Sequence, residues 1–201
     1  MKNEGNNIFS IFDEMIPRRD KEQLLNQNAK VIWMTGLSGS GKTTIAKYLE
    51  RHLHDNNYLT QLLDGDNIRA GINSNLGFSE EDRMENIRRI AEISKLFLNC
   101  GIITINCFVS PTVEIRSLAK SIIGKEDFIE VFIDTPLEVC EKRDTKGLYK
   151  KARAGEIKNF TGISAPFEPA EDALRIETVG RSVEESANEI IKHLTPIIKK
   201  V

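Results

Sequence analysis

The chain has 201 residues, 40% of them apolar, and 28 Lys and Arg against 30 Asp and Glu give a net charge of −2. That length and apolar share suffice for one domain with a substantial core, and the near-neutral balance argues against a nucleic-acid binder. Three cysteines (100, 107 and 140) form no C-x-x-C pair, which excludes a disulfide framework and suits a reducing cytoplasm, while no apolar run approaches a membrane span or a secretory h-region.

Residues 1–30 read as a polar, Asn-rich arm. Within it Ile8, Phe9, Ile11, Phe12, Met15 and Ile16 fall at roughly helical spacing, closed by Pro17. Two readings stay open: a frayed tail, or a short amphipathic element docked on the body or on a second subunit, which leaves a homodimer open. Residues 18–28 can form a helix leading into the first strand.

Residues 31–35, Val-Ile-Trp-Met-Thr, read as a buried strand. They run directly into Gly36-Leu-Ser-Gly-Ser-Gly-Lys-Thr-Thr44, and Ile45, Ala46, Tyr48, Leu49 and Leu53 then recur at helical spacing. A G-x-x-x-x-G-K-[ST] loop between a strand and a helix is a phosphate-binding loop. Gly36, Gly39 and Gly41 let backbone N–H groups turn toward phosphate oxygens, and the helix aims its positive end at the same anion. Lys42 can reach the β- and γ-phosphates, and the Thr43 hydroxyl can ligate Mg²⁺.

A second strand over 59–63 ends in Asp64-Gly65-Asp66. Ser79 is a candidate N-cap for a long helix with Glu80, Glu81 and Asp82 in its first turn. Its inward face is Met84, Ile87, Ile90, Ala91, Ser94, Phe97 and Leu98, and Gly101 is its expected stop. A third strand (102–108), apolar enough to be buried on both faces, ends at Ser110-Pro111 and leads to a helix reaching about residue 122. A fourth strand spans 128–133, and Thr135-Pro-Leu-Glu138 reads as a capping box. Residues 142–170 are polar and rich in Gly and Pro; six of the twelve residues in 142–153 are basic, which reads as a mobile lid able to bring cations over a transferring phosphate. A short strand at 174–177 and a second capping box at Ser182–Glu185 precede the last helix, which Pro196 is expected to kink or restart. Strands alternate with helices, so the fold class is α/β: a P-loop kinase fold with a mostly parallel sheet and helices on both faces. The expected division is an arm (1–30) and a kinase domain (31–201).

Asp64 and Asp66 lie on opposite sides of a strand end, so one of them is expected to face the phosphates, as metal-shell acid or as base; Asp66 could equally be an N-cap. Asp134 could be a Walker-B acid or a local turn residue. Arg69 and Arg83 sit at or near expected helix starts, where a cation opposes the dipole, and so hint at an anionic ligand. Of Arg88 and Arg89, at least one is ordinary helix surface. The base-reading N-K-x-D motif is missing, since 141–144 is Glu-Lys-Arg-Asp. By itself this pattern reaches a small P-loop kinase.

From about Arg18 to Pro169 the chain closely resembles the adenylyl-sulfate kinases. The resemblance is carried by the loop at 36–44, Asp64-Gly-Asp-Asn-Ile-Arg69, Leu76-Gly-Phe-Ser79, Asp82-Arg83, Glu85-Asn86-Ile-Arg-Arg-Ile-Ala91, Phe108-Val-Ser-Pro111, and the long specific block Lys146-Gly-Leu-Tyr-Lys-Lys-Ala-Arg-Ala-Gly-Glu-Ile-Lys-Asn-Phe-Thr-Gly162. It implies transfer of the γ-phosphoryl of ATP to the 3′-hydroxyl of adenylyl sulfate, with Mg²⁺, in a cytoplasmic step of sulfate assimilation. ATP would be held by Gly36, Ser38, Gly39, Ser40, Gly41, Lys42, Thr43, Thr44 and Arg143. Asp66 and Lys42 would be catalytic, Asp66 as the base, and Thr43 would hold the metal. Arg69, Arg83 and Asn86 would hold the phosphosulfate and ribose, with Phe78 and Phe160 clamping the adenine. Val109, Ser110, Lys146 and Asn159 would line the same pocket, Ser110 as a wall residue and not a phosphate carrier. The chain departs from the family pattern at Thr112, Val113 and Ile115 and over 163–167. Two alternatives remain: a kinase for another small hydroxyl acceptor, or a nucleotide-binding subunit without turnover.

Overall fold

The computed structural model describes residues 9–200. In chain order its helices and strands are α1 (Arg18–Leu25), β1 (Val31–Thr35), α2 (Lys42–Asp55), β2 (Thr60–Asp64), α3 (Gly65–Ala70), α4 (Glu80–Asn99), β3 (Ile103–Cys107), α5 (Val113–Ile123), β4 (Phe128–Asp134), α6 (Leu137–Arg143), α7 (Leu148–Arg153), β5 (Leu174–Glu177) and α8 (Val183–Ile198). The five strands form one sheet in the order β2-β3-β1-β4-β5, every pair parallel. β1 is central, with Val31 in register with Thr104 of β3 on one side and Phe128 of β4 on the other.

Alternation along β1 assigns its side chains to two cores. Ile32 and Met34 pack with α2 and α8; Val31 and Trp33 pack with α4 and α5. All five residues of β1 and of β3 are buried, as a parallel sheet covered on both faces requires. Trp33 lies between Phe108 and Phe128, ring centroids 5.7 and 5.6 Å away. A third, smaller core joins Leu37, Cys140 and Tyr149 above the carboxyl ends of the strands. The connections from β1 and β2 run there too, so the sheet delivers the phosphate loop and Asp64-Gly-Asp66 to one edge.

Helix ends follow the sequence at most places. Ser79 Oγ accepts from Asp82 N at 3.1 Å, Gly101 closes α4 at φ +79°, and the Ser182–Glu185 capping box forms. Thr135 differs. It caps nothing; its hydroxyl lies 3.0 Å from the Ser40 carbonyl and 2.6 Å from Thr178 Oγ1, so the tertiary contact displaces the local one and Pro136 heads α6 uncapped. Nor does Pro196 restart α8, which continues to Ile198. Only two helical residues follow it, so the interruption costs a single hydrogen bond in the last turn. The segment expected as a lid contains α7, whose Tyr149 is 1% exposed. At the amino end Phe12–Glu14 form one 3₁₀ turn, and Phe9, Ile11, Phe12, Met15 and Ile16 are exposed; Ile8, part of the same pattern, lies outside the described residues. Among the described residues no helix is long and apolar enough to cross a membrane.

Candidate active site

The loop after β1 is built so that a side chain at its first glycine cannot fit. A Cβ on Gly36 would stand 2.6 Å from the Ile133 carbonyl, and Gly36, Gly39 and Gly41 all have positive φ. Lys42 is buried and folds back along the loop, its Nζ donating to the carbonyls of Gly36 (2.9 Å) and Leu37 (2.8 Å). Burial lowers its pKa to about 8. The first turn of α2 contains no acid, and its leading N–H groups lack intrahelical partners. The Ser40 hydroxyl is buried with no partner among the described residues. Arg143, from α6, donates to the carbonyls of Gly39 and Ser40 at 3.2 Å each. Thr43 and Thr44 occupy the same first turn. The leading N–H groups of α2 beside one desolvated cation fit a polyphosphate.

Of the two acids at the end of β2, it is Asp64 that faces this loop. Its Oδ2 accepts from Thr43 Oγ1 at 2.7 Å, and its Oδ1 accepts from Asp66 N at 3.0 Å. Asp64 is thus the N-cap of α3, and the cap reading of Asp66 is corrected. Asp66 sits in the first turn with its side chain 72% exposed, in an ion pair with Lys146. Asp134 is the last residue of β4, and Arg175 Nε on the neighbouring strand donates to its carboxylate at 2.7 Å.

Arg69 lies in the last turn of α3, not at a helix start, so its position does not oppose the dipole. It donates to the Gly77 carbonyl at 2.7 Å and stands 4.4 Å from the Phe78 ring centroid. Arg83, in α4, spans two segments: its Nε donates to the Phe78 carbonyl (3.0 Å), its Nη2 to the Asn159 carbonyl (2.7 Å) and its Nη1 to Thr161 Oγ1 (3.2 Å). Burial disfavours both guanidinium charges, and for Arg69 the neighbouring Arg83 adds to this; an anion between them would relieve it. Arg88 and Arg89 both pair with Glu85.

Asn86 is buried, its Oδ1 accepting from Asn73 Nδ2 at 3.0 Å. Phe160 meets Tyr149 edge to face at 5.0 Å, and Asn159 precedes it at φ +55°. The Val109 carbonyl accepts from Thr35 Oγ1 at 2.7 Å. Ser110 does not present its hydroxyl as a wall: it is 2% exposed, with Oγ taken by Trp33 Nε1 at 3.0 Å. The structure therefore groups residues 36–44 with Arg143, Asp66 with Lys146, and Phe78 with Arg69, Arg83 and Asn159. Sequence reasoning raised Asp64 and Asp66 together without deciding which of them faces the loop, and it gave no site role to Tyr149 or Thr135, whose bonds to the loop carbonyls of Ser38 and Ser40 span 111 and 95 residues.

Residues 28–177 match the family model for adenylylsulphate kinase. The chain is 63% identical to the adenylyl-sulfate kinase of Bacteroides thetaiotaomicron over 98% of both proteins, and 56% identical to that of Clostridium acetobutylicum over 89% of this chain and 90% of that one. Among solved structures it is similar to the Mycobacterium tuberculosis APS kinase in complex with AMPPNP and APS, with 46% identity and a TM-score of 0.81 over 84% of this chain and 98% of that one. A gluconokinase from Sinorhizobium meliloti, 12% identical with a TM-score of 0.58, shares the fold alone.

Proposed function

The chain belongs to the adenylylsulphate kinase family, and on that premise we propose how its residues carry the reaction. It is an ATP-dependent kinase that phosphorylates the 3′-hydroxyl of adenylyl sulfate. The loop at 36–44 cradles the triphosphate, with Lys42 leaving the Gly36 and Leu37 carbonyls for the phosphate oxygens and Arg143 closing the other side. Asp66 takes the proton of the 3′-hydroxyl as its oxygen bonds to the γ-phosphorus; the bond to the β-bridging oxygen breaks and ADP leaves. Lys146 holds the Asp66 carboxylate in the free protein, and an incoming phosphosulfate draws that ammonium away and frees the base. Arg69, Arg83 and Asn86 hold the acceptor's anionic half, and Phe78 and Phe160 hold its adenine by stacking. Thr43 and Asp64 present the two hard oxygens that suit a magnesium ion which keeps most of its waters; when bound, that ion neutralises phosphate charge. Two copies associate through the exposed apolar side chains of residues 9–16, which sedimentation at micromolar concentration tests, and three free thiols suit the cytoplasm.

The observation that supports this most strongly is the 63% identity over nearly the whole chain together with an acid pair at the end of β2, one member bonded to Thr43 beside the phosphate loop and the other exposed and held by Lys146. The test is ADP release from ATP with adenylyl sulfate, set against gluconate, nucleosides and adenosine 5′-phosphate. Preference for adenylyl sulfate by at least a hundredfold in kcat/KM is expected; comparable turnover of a sugar acid, or none with any acceptor, would sink it.

A further inference from the structure

The phosphate loop is held from behind as well as in front. Its five successive carbonyls, Gly36 to Ser40, each accept from a side chain. Lys42 Nζ serves Gly36 and Leu37, Arg143 serves Gly39 and Ser40, and Thr135 also serves Ser40. The middle carbonyl, Ser38, takes its bond from the hydroxyl of Tyr149 at 2.8 Å. Turning a peptide carbonyl outward turns the following N–H inward, so these bonds fix the donor face that meets phosphate.

We propose that Tyr149 is a positioning residue for the donor phosphates, its hydroxyl locking the Ser38 carbonyl so that the loop keeps its anion-binding shape with or without nucleotide. Lys42 cannot do this alone, because the phosphates compete for it. Tyr149 is placed rigidly for the task. It is 1% exposed and packs with Leu37 and Cys140, and its ring meets Phe160 edge to face. Asp144 pins the start of α7, accepting from the backbone N–H of Tyr149 and of Lys150 at 3.0 Å each. Burial pushes the phenol pKa up, so the hydroxyl remains a donor throughout the working range. A tyrosine serving only as core filler would not need this alignment.

The inference rests on the reading of residues 36–44 as the donor cradle. Tyr149→Phe keeps the ring and its packing and removes only the hydroxyl. By titration calorimetry its ADP dissociation constant should rise about 3- to 10-fold, and the KM for ATP with it, while the KM for adenylyl sulfate and the thermal midpoint stay close to wild type. Amide exchange at residues 38–42 should quicken while that of β1 does not. Unchanged ADP affinity, or equal loss toward both substrates, would overturn the assignment. Lys42→Ala separates the two readings: if it binds ADP as wild type does, the cradle reading has failed, and if it loses ADP while Tyr149→Phe does not, only the tyrosine's role has.

Discussion

Lys42 is where burial and chemistry meet in one side chain. Its ammonium is removed from water and hydrogen-bonds to two carbonyls among the described residues, and burial leaves its pKa at about 8. A polyphosphate stabilises the charged form and raises that pKa in the complex. The free pKa is the lower one, so ADP affinity should be flat below pH 8 and fall as pH rises beyond it, by up to about tenfold per unit, until the bound pKa is reached. Calorimetry at pH 8.5 in buffers of different ionisation enthalpy should register proton uptake on binding. A pH-independent affinity from 7 to 9.5 would contradict the arrangement. Asp66→Asn should cost about 10²- to 10⁴-fold in turnover and spare ADP binding; near-normal turnover would leave Asp66 a bystander of Lys146. Ser110→Ala should keep activity within about tenfold, since its hydroxyl is committed to Trp33; activity at background, with a phosphoserine trapped on the wild-type chain after ATP alone, would reverse that. At this scale the sequence was readable where a residue's partner is near in the chain. The Gly, Lys and Thr of the loop declared themselves by spacing. The division of labour between Asp64 and Asp66 did not, because it depends on Thr43 on another element.

Elements were legible where periodicity decides. The apolar stripe of α4 follows from its helical spacing, and the doubly buried β1 and β3 from their mostly apolar runs. Thr135–Glu138 misled for a physical reason: a hydroxyl that would cap a helix found a buried carbonyl instead. The basic stretch at 142–153 reads as a solvated run or lid, yet three of the side chains that anchor it, Arg143, Asp144 and Tyr149, bond to backbone, which charge patterning cannot reveal. The acceptor elements are joined by Arg83, which links the Phe78 loop to residues 159–161. The two aromatic rings should therefore respond differently to truncation. Phe78→Ala touches only the acceptor side and should weaken adenylyl sulfate by about 1–3 kcal/mol with ADP affinity unchanged. Phe160→Ala also frees the Tyr149 ring, and so should weaken ADP by a further few-fold. Matched effects of the two variants on ADP would remove the proposed path through Tyr149.

At the scale of the whole molecule the two large cores share one sheet. β1 contributes Ile32 and Met34 to one and Val31 and Trp33 to the other, so neither can melt without exposing the second. The all-parallel order, with long crossovers on both sides of β1, leaves no sub-sheet able to stand alone. The chain has one tryptophan, Trp33, fully buried at the centre of this arrangement. Its fluorescence should therefore unfold in the same single transition as far-UV circular dichroism. Nucleotide binds the folded chain through a loop that leaves the end of β1, so it should stabilise the entire unit and not just the loop. At a hundred times its dissociation constant, ADP should add about 2.7 kcal/mol, a rise in midpoint of roughly 5–10 °C for a chain of this size. Both probes should move together, and Lys42→Ala should abolish the shift. If Trp33 reported a transition distinct from the helical signal, or ADP moved only one of them, the sheet would not be the single cooperative unit that its shared central strand makes it.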